Sequence, residues 1–508
     1  MKQTRGPLRL GTSFAWALAK SIPLIATAPL FFGCTSSSTS VSDGGDNSDA
    51  ASSAEGMLVA APLLTPELLG RPTANAIALN VIPSESIEAY AEFGQSAGSY
   101  PERTTAALYP ASKPFVITIE GLNPDSGYFY RLRWRRPGDV GWNWQEERSF
   151  HTQRRGGSTF RFTIQADSHL DENSLFEMYQ RTLSNVKADA PDFHIDLGDT
   201  FMCEKHIQPF DPVILTAPDY ATVDKRYLFE RGNFGVITPW VPLFLVNGNH
   251  EGELGYLFKG TGQDIATWAT QARLKYYLNP TPNGFYSGIA DAFPVVGQRA
   301  SYYSWTWGDA LFVVLDPFWN TTVRSNTDGW VWTLGTTQYQ WLAQTLSGST
   351  AKFKFVFLHN LVGGLDGQMR GGVEAAPYFE WGGKNADGTG GFAAKRPGFP
   401  KPIHQLLVDN KVTAVFHGHD HVYVKQDLDG IVYQEVPQPS AKNTSSGAML
   451  AANYHYTSGT ILSSAGHIRV TVSPTQVTSE YVRAWLPQME TATVKNGRID
   501  DTWTALPK

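Results

Sequence analysis

The sequence predicts an α/β protein in which a large domain of layered sheets, residues 158–490, follows an all-β sandwich, residues 58–153. Three observations predict this. A chain of 508 residues exceeds what one ordinary hydrophobic core holds together, so two or more domains are expected. Up to Thr152 apolar residues recur at every second position between turn signals, the period of strands with one buried face. After RRGGS (154–158) short apolar runs alternate with longer mixed segments, which is the texture of α/β layers.

Composition narrows the function classes. A charged fraction of 17% and a hydrophobic fraction of 42% describe a folded chain. The formal charge of −6 and the absence of a basic stripe disfavour nucleic acid as a partner. Only two cysteines occur, Cys34 and Cys203, and Cys203 is expected to be a small buried apolar residue.

The first element is a targeting segment. Lys2, Arg5, Arg9 and Lys20 precede the short apolar stretch SIPLIATAPLFFG, the form of a secretory signal. Gly33 directly before Cys34 resembles a bacterial lipoprotein processing site. Residues 1–34 are therefore expected to export the chain across the bacterial inner membrane, with a lipid on Cys34 as its one membrane attachment; a conventional signal peptide cut elsewhere is the alternative. Residues 35–57, rich in Ser, Gly and Asp, bury nothing and read as a tether.

In the sandwich, AIALNVIP and FVITIEGLNPDSGYFYRLRW carry the alternation, with Tyr128, Tyr130, Leu132 and Trp134 on one face. The stretch GLNPDSGYFYRL, closed by SFHT, resembles a fibronectin type III domain, with Tyr128 placed like its corner tyrosine. The module carries no catalytic cluster and reads as a spacer and wall. In the second domain, SLFEMYQRTLSNVKADAP puts Leu175, Tyr179, Leu183 and Val186 on one helical face.

Five apolar runs of that domain end in metal-ligating chemistry. FRFTIQ leads to Asp167-Ser168-His169, and FHIDL to Gly198-Asp199. VPLFLVN leads to Gly248-Asn249-His250-Glu251, FKFVFL to His359-Asn360, and VTAVF to His417-Gly418-His419-Asp420-His421. Six of the 12 histidines stand in these tails. Strand C-terminal ends are where open α/β sheets build sites. Imidazole and carboxylate without thiolate suit Zn, Mn, Fe or Co rather than Ca. Asp167, His169, Asp199, Asn249, His359, His419 and His421 are more ligands than one tetrahedral ion takes, so two divalent or mixed-valence transition metal ions are expected. Alternation along an extended segment aims His419 and His421 the same way and His417 to the opposite face or behind the ligands.

The ordered set D-x-H, G-D, G-N-H-[DE], lone H and G-H-x-H resembles the calcineurin-type metallophosphoesterases. The resemblance implies a four-layer α/β/β/α sandwich and a small-molecule phosphoester substrate. It implies one ion on Asp167, His169, Asp199 and His421, with Asp199 bridging to a second completed by Asn249, His359 and His419. It implies in-line attack by a hydroxide held between them, and a catalytic role for His250, oriented by Asp199 or Glu251, at the departing oxygen. The leading β-sandwich is similar to that of purple acid phosphatases. The chain departs from that type at Met202, where a tyrosine ligand is usual, and at His169, where a glycine is usual.

Between His359 and the last motif lies a glycine-rich segment expected to act as a lid. Arg370 or Arg396 is expected to reach a phosphate from it, the alternative being that each is solvated or salt-bridged within the loop. Phe379 or Trp381 is expected to stack on a leaving group. Two other readings stay open at this level: a nucleotide-directed hydrolase, with lid aromatics holding a base, and a non-enzymatic metal-bearing adhesion or scaffold lipoprotein. The C-terminal run SGTILSSAGHIRVTVSPTQVTSEYVRAW reads as strands completing the second sheet, with His455 and His467 structural.

Overall fold

The computed structural model describes residues 56–203, 219–364 and 370–508. The expected signal segment with Cys34, and all but the last two residues of the expected tether, lie outside the described residues.

The N-terminal alternation folds as the sequence predicts. Leu68–Gly70, Ala76–Val81 and Phe115–Glu120 form one sheet. Ile87–Gly94 and Gly127–Arg135 centre the other, flanked by shorter strands. Ile77, Leu79, Ile117 and Ile119 meet Ala89, Ala91, Tyr130 and Leu132 in a single core between the two. The Tyr128 hydroxyl accepts the backbone N–H of Asn123 at 2.9 Å and closes the turn before its strand. Polar bonds then fasten this sandwich to the second domain. The Tyr130 hydroxyl donates to the carbonyl of Pro239 at 2.8 Å, and buried Arg231 donates to Thr65 Oγ1 at 2.9 Å and to the Asn80 carbonyl at 2.7 Å.

Two larger sheets carry the rest. The first has six strands in the order Leu243–Leu245, Phe193–Asp196, Phe160–Gln165, Gly466–Val472, Val477–Arg483 and Ile499–Ala505. Its first three strands are parallel. The second has eight strands, with Ala310–Val314, Phe353–Phe357, Ala414–His417 and Ile431–Glu435 parallel at its centre. Their inner faces interlock through Phe162, Phe193, Phe312, Phe355, Phe357 and Phe416. Helices Phe176–Ala188, Tyr220–Phe234 and Ile265–Tyr276 cover the outer face of the first sheet, and Gly335–Ser347 and Ile403–Asp409 that of the second. The result is the four-layer α/β/β/α order. Strands buried on both faces have no solvent side, which is why these runs read as continuously apolar.

The first helix buries Tyr179, Leu183 and Val186, as its periodicity predicts, while Leu175 stands at its N-cap. Asp219 and Asp264 cap the next two by accepting N–H groups of Thr222 and Thr267. The C-terminal run supplies the two closing strands that its alternation predicts. Only Thr460–Leu462 joins the eight-stranded sheet, whereas its two long strands extend the six-stranded one beside Phe160–Gln165. Backbone pairing partners at such separation have no local signature, so periodicity could not choose between the sheets.

Two residues past Glu251, Glu253 anchors a buried charge network. Glu253 binds Arg273 at 2.5 Å and Arg299 at 2.7 Å, and Arg299 also reaches Asp316 at 3.0 Å. Burial opposes ionisation of Glu253, but the two guanidinium groups outweigh it and hold the carboxyl down to about 2. A carboxyl depressed on folding stabilises the native state fully above its unfolded value of 4.5 and loses that contribution as pH falls towards 2. Glu253→Gln leaves Arg273 buried without a counter-charge, and urea melts at neutral pH are expected to show a loss of about 3 kcal/mol. The gap between variant and parent should shrink as the pH is lowered from 4.5 towards 2; a gap constant over that window refutes the assignment.

Candidate metal centre

The five tails converge. Asp167 and His169 follow the strand Phe160–Gln165, Asp199 follows Phe193–Asp196, and Asn249 and His250 follow Leu243–Leu245. From the facing sheet, His359 follows Phe353–Phe357, and His419 and His421 follow Ala414–His417. Ligand atoms of Asp167, His169 and His421 lie within 4.8 Å of one another, as do those of Asp199, His359 and His419. Asp199 Oδ2 links the two groups, at 3.1 Å from His359 Nε2 and 3.7 Å from His169 Nε2. Asp167 Oδ1 stands 3.6 Å from His169 Nε2 and 3.5 Å from His421 Nε2.

Backbone strain concentrates at this point. Asp167, His169, Asp199, His419 and His421 all have φ between 51° and 85°, the left-handed region that L residues avoid. Each sits where a strand must stop and turn its side chain back toward a common centre. Gly198, at φ 92°, and Gly248 let two of these turns touch; a methyl group on either would collide with the backbone of the other turn. Gly418 serves the same end, since a methyl there would stand 2.7 Å from Asp167 Oδ2.

Neighbours fix the orientation of the ligand side chains. The backbone carbonyl of Leu197 lies 2.9 Å from His359 Nδ1, which turns Nε2 inward. Asp171 Oδ2 lies 3.5 Å from His169 Nδ1, and Arg226 donates to the His169 carbonyl at 2.8 Å. Asp167 Oδ2 accepts the His419 N–H, and Asp199 Oδ1 the His250 N–H, both at 2.8 Å. His417 is held behind the ligands, with Nδ1 at 2.6 Å from Glu435.

Burial and the neighbouring carboxylates set the charge of each group. Burial pushes His419 well below the ordinary imidazole range, so it stays neutral with a lone pair to offer. At His359 burial is outweighed by the Asp199 carboxylate, which raises it to about 10. At Asp199 burial is outweighed in turn by His359 and His250, which hold the carboxyl well below its usual value.

Several expected residues take other roles. Glu251 ties the ligand turns together. Its carboxylate accepts backbone N–H groups of Asp199 at 2.9 Å, Thr200 at 2.7 Å and Phe201 at 3.3 Å, and that of Gly248. Arg396 is ion-paired to buried Glu380 and donates to the carbonyls of Trp330 at 2.7 Å and Trp332 at 3.0 Å, salt-bridged within the lid segment rather than aimed at a phosphate. Phe379 and Trp381 are core residues, Trp381 donating to the Tyr433 hydroxyl at 3.0 Å, so neither offers a face to a leaving group. The described part of that segment is no structureless lid; it folds into short helices, Phe379–Gly382 and Phe392–Lys395. Arg370 lies beside the ligand turn, ion-paired to Asp420. His467 is structural, 2.8 Å from Asp189, and His455 lies outside both ligand groups. Met202 and Cys203 are buried. Glu435, Arg226 and Asp171 gave no signal in the sequence, because only the fold brings them behind the ligands.

The donor set fits transition metal ions. The buried atoms Asp167 Oδ1, His169 Nε2, Asn249 Oδ1 and His359 Nε2 form no hydrogen bond among the described residues. Buried polar atoms left without hydrogen-bond partners where these tails meet are costly unless a cation satisfies them.

A family model described as calcineurin-like phosphoesterase matches residues 160–423. The fold is similar to a solved structure of PhoD, with a TM-score of 0.62 at 15% identity over 88% of this chain and 90% of that one. It is also similar to the purple acid phosphatase PPD1 from yellow lupin seeds, with a TM-score of 0.55 at 15% identity over 87% of this chain and 74% of that one. No curated protein matches by sequence.

Proposed function

Since the chain belongs to the calcineurin-like phosphoesterase family and is a metal-dependent phosphoester hydrolase, we propose that it works outside the cytoplasm as a phosphomonoesterase or phosphodiesterase with a two-metal centre. The observation that carries the centre is the sharing of Asp199 Oδ2 between the His169 and His359 sides. Asp167, His169, Asp199 and His421 would hold one ion, and Asp199, Asn249, His359 and His419 the other, with Fe, Mn, Zn or Co as the candidate metals. When bound, such ions supply a nucleophilic hydroxide near neutral pH and neutralise charge on the phosphoryl oxygens during in-line displacement.

The chain's own residues do the rest. His250 is half-buried beside Asp199, its Nε2 3.9 Å from Asp199 Oδ2, and its backbone N–H is tied to the same carboxylate. This position supports a role in steadying the phosphoryl group and delivering a proton to the departing oxygen. An imidazole in the position of His169, with Met202 where a phenolate is usual in purple acid phosphatases, supports a non-purple centre. Export is supported by the basic-then-apolar N-terminus, and a lipid anchor by Gly33-Cys34 followed by the Ser/Gly/Asp tether.

The test is direct. Purified protein stripped with a strong chelator should lose hydrolysis of p-nitrophenyl phosphate and of its bis-ester. Activity should return on adding Mn, Zn, Fe or Co, and the ratio of the two rates assigns mono- or diesterase. Full activity in protein that elemental analysis shows free of metal would refute the centre.

A further inference from the structure

The segment expected to cover the substrate instead sends Arg370 to the metal-ligand turn. The Arg370 guanidinium pairs through Nε with Asp420 Oδ1, and its Nη2 donates to the backbone carbonyl of His419 at 2.7 Å. Its flat face lies 3.9 Å over the Tyr454 ring. Asp420 sits between His419 and His421 and is itself buried. Its second carboxylate oxygen accepts the Tyr456 hydroxyl at 2.7 Å, and its N–H donates to Glu435 Oε1 at 2.9 Å.

The strap that delivers this arginine is fastened at once. Val373 N–H donates to Gln426 Oε1 at 3.0 Å, Gln426 donates to Glu374, and Glu374 accepts the Thr457 N–H at 2.8 Å. Gly371, at φ 108°, runs so close that a methyl group would come 2.9 Å from the Tyr454 carbonyl. A planar fork held this way grips a carbonyl and a carboxylate together, which a point charge does less well. The carbonyl it grips belongs to His419, whose φ of 85° is the largest departure among the expected ligands.

Building on the proposed two-metal centre, we infer that Arg370 is a positioning residue: it holds the His419–Asp420 turn in its strained conformation and so maintains the ion on the His359/His419 side. It contributes no charge to the substrate phosphate. Second-layer contacts of this kind are worth about 10–100-fold in metal affinity.

The experiment uses the full-length protein with Arg370→Ala, Arg370→Gln and Arg370→Lys, each dialysed against chelators of graded strength and then analysed for metal. Wild type should retain two equivalents where Arg370→Ala and Arg370→Gln retain one, with the weaker ion bound about 10–100-fold less tightly. Arg370→Lys should fall between them. At saturating metal the kcat of the variants should recover while KM for p-nitrophenyl phosphate stays within about threefold of wild type. Tyr456→Phe, which removes only the hydroxyl bond to Asp420, should shift metal affinity in the same direction and less, and it serves if the alanine variant does not fold. Two equivalents held with unchanged affinity, accompanied by a KM raised tenfold or more, would make Arg370 a phosphate ligand and overturn the inference. Wild type without a second ion would sink the two-metal centre itself, and this inference with it.

Discussion

Asp199→Asn is expected to cost about 10³-fold or more in turnover and to leave at most one metal equivalent, more than any other single ligand change. The reason is geometric. In the proposed centre each other expected ligand serves one ion, whereas Asp199 Oδ2 stands 3.1 Å from His359 Nε2 and 3.7 Å from His169 Nε2. An amide keeps the volume and the Oδ1 contact to the His250 N–H but surrenders the negative charge between two cations. Metal-derived stabilisation of the transition state is worth several kcal/mol, and about 4 kcal/mol corresponds to 10³-fold in rate. Elemental analysis with single-turnover assays reads both quantities. His421→Ala should retain the ion on the His359 side. If Asp199→Asn keeps both ions and ordinary turnover, the carboxylate does not bridge.

His250→Ala is expected to separate chemistry from ligation. Metal content should remain at the wild-type value while kcat falls by roughly 10²–10⁴-fold, the range for losing a positioned proton donor. His250 belongs to neither ligand group, and its Nε2 stands 3.9 Å from Asp199 Oδ2. Comparing leaving groups sharpens the reading. The deficit should be large for a poorly activated alkyl ester and small for p-nitrophenyl phosphate, whose departing oxygen needs little protonation. An equal deficit on both esters would place His250 at the phosphoryl oxygens alone. Loss of metal would make it a ligand.

Much of this protein is legible in the order of its amino acids. Short spacing makes Asp167 with His169, and His419 with His421, readable as pairs, although both pairs lie past their strands in left-handed turns. The termination of five apolar runs in Asp, Asn or His announces a shared centre, though not that the runs belong to two facing sheets. The two-residue and 3.6-residue periods in Tyr128–Trp134 and Tyr179–Val186 reveal which faces are buried. These are local signals, since strand and helix geometry set them within a few residues.

Whatever depends on contacts distant in sequence was decided only by the tertiary structure. Phe379, Trp381 and Arg396 looked like substrate contacts because a glycine-rich segment ordinarily lies on the surface; here their partners, Glu380, Trp330, Trp332 and Tyr433, hold them inside. The same holds for the C-terminal strands, which chose the six-stranded sheet by pairing with a strand some 300 residues earlier. The sequence by itself determined the chemistry of the centre, because ligand identity is a property of single residues. Only folding decided which charges stand behind that centre and which arginine grips it, because burial and pairing are properties of neighbours that the chain order does not name.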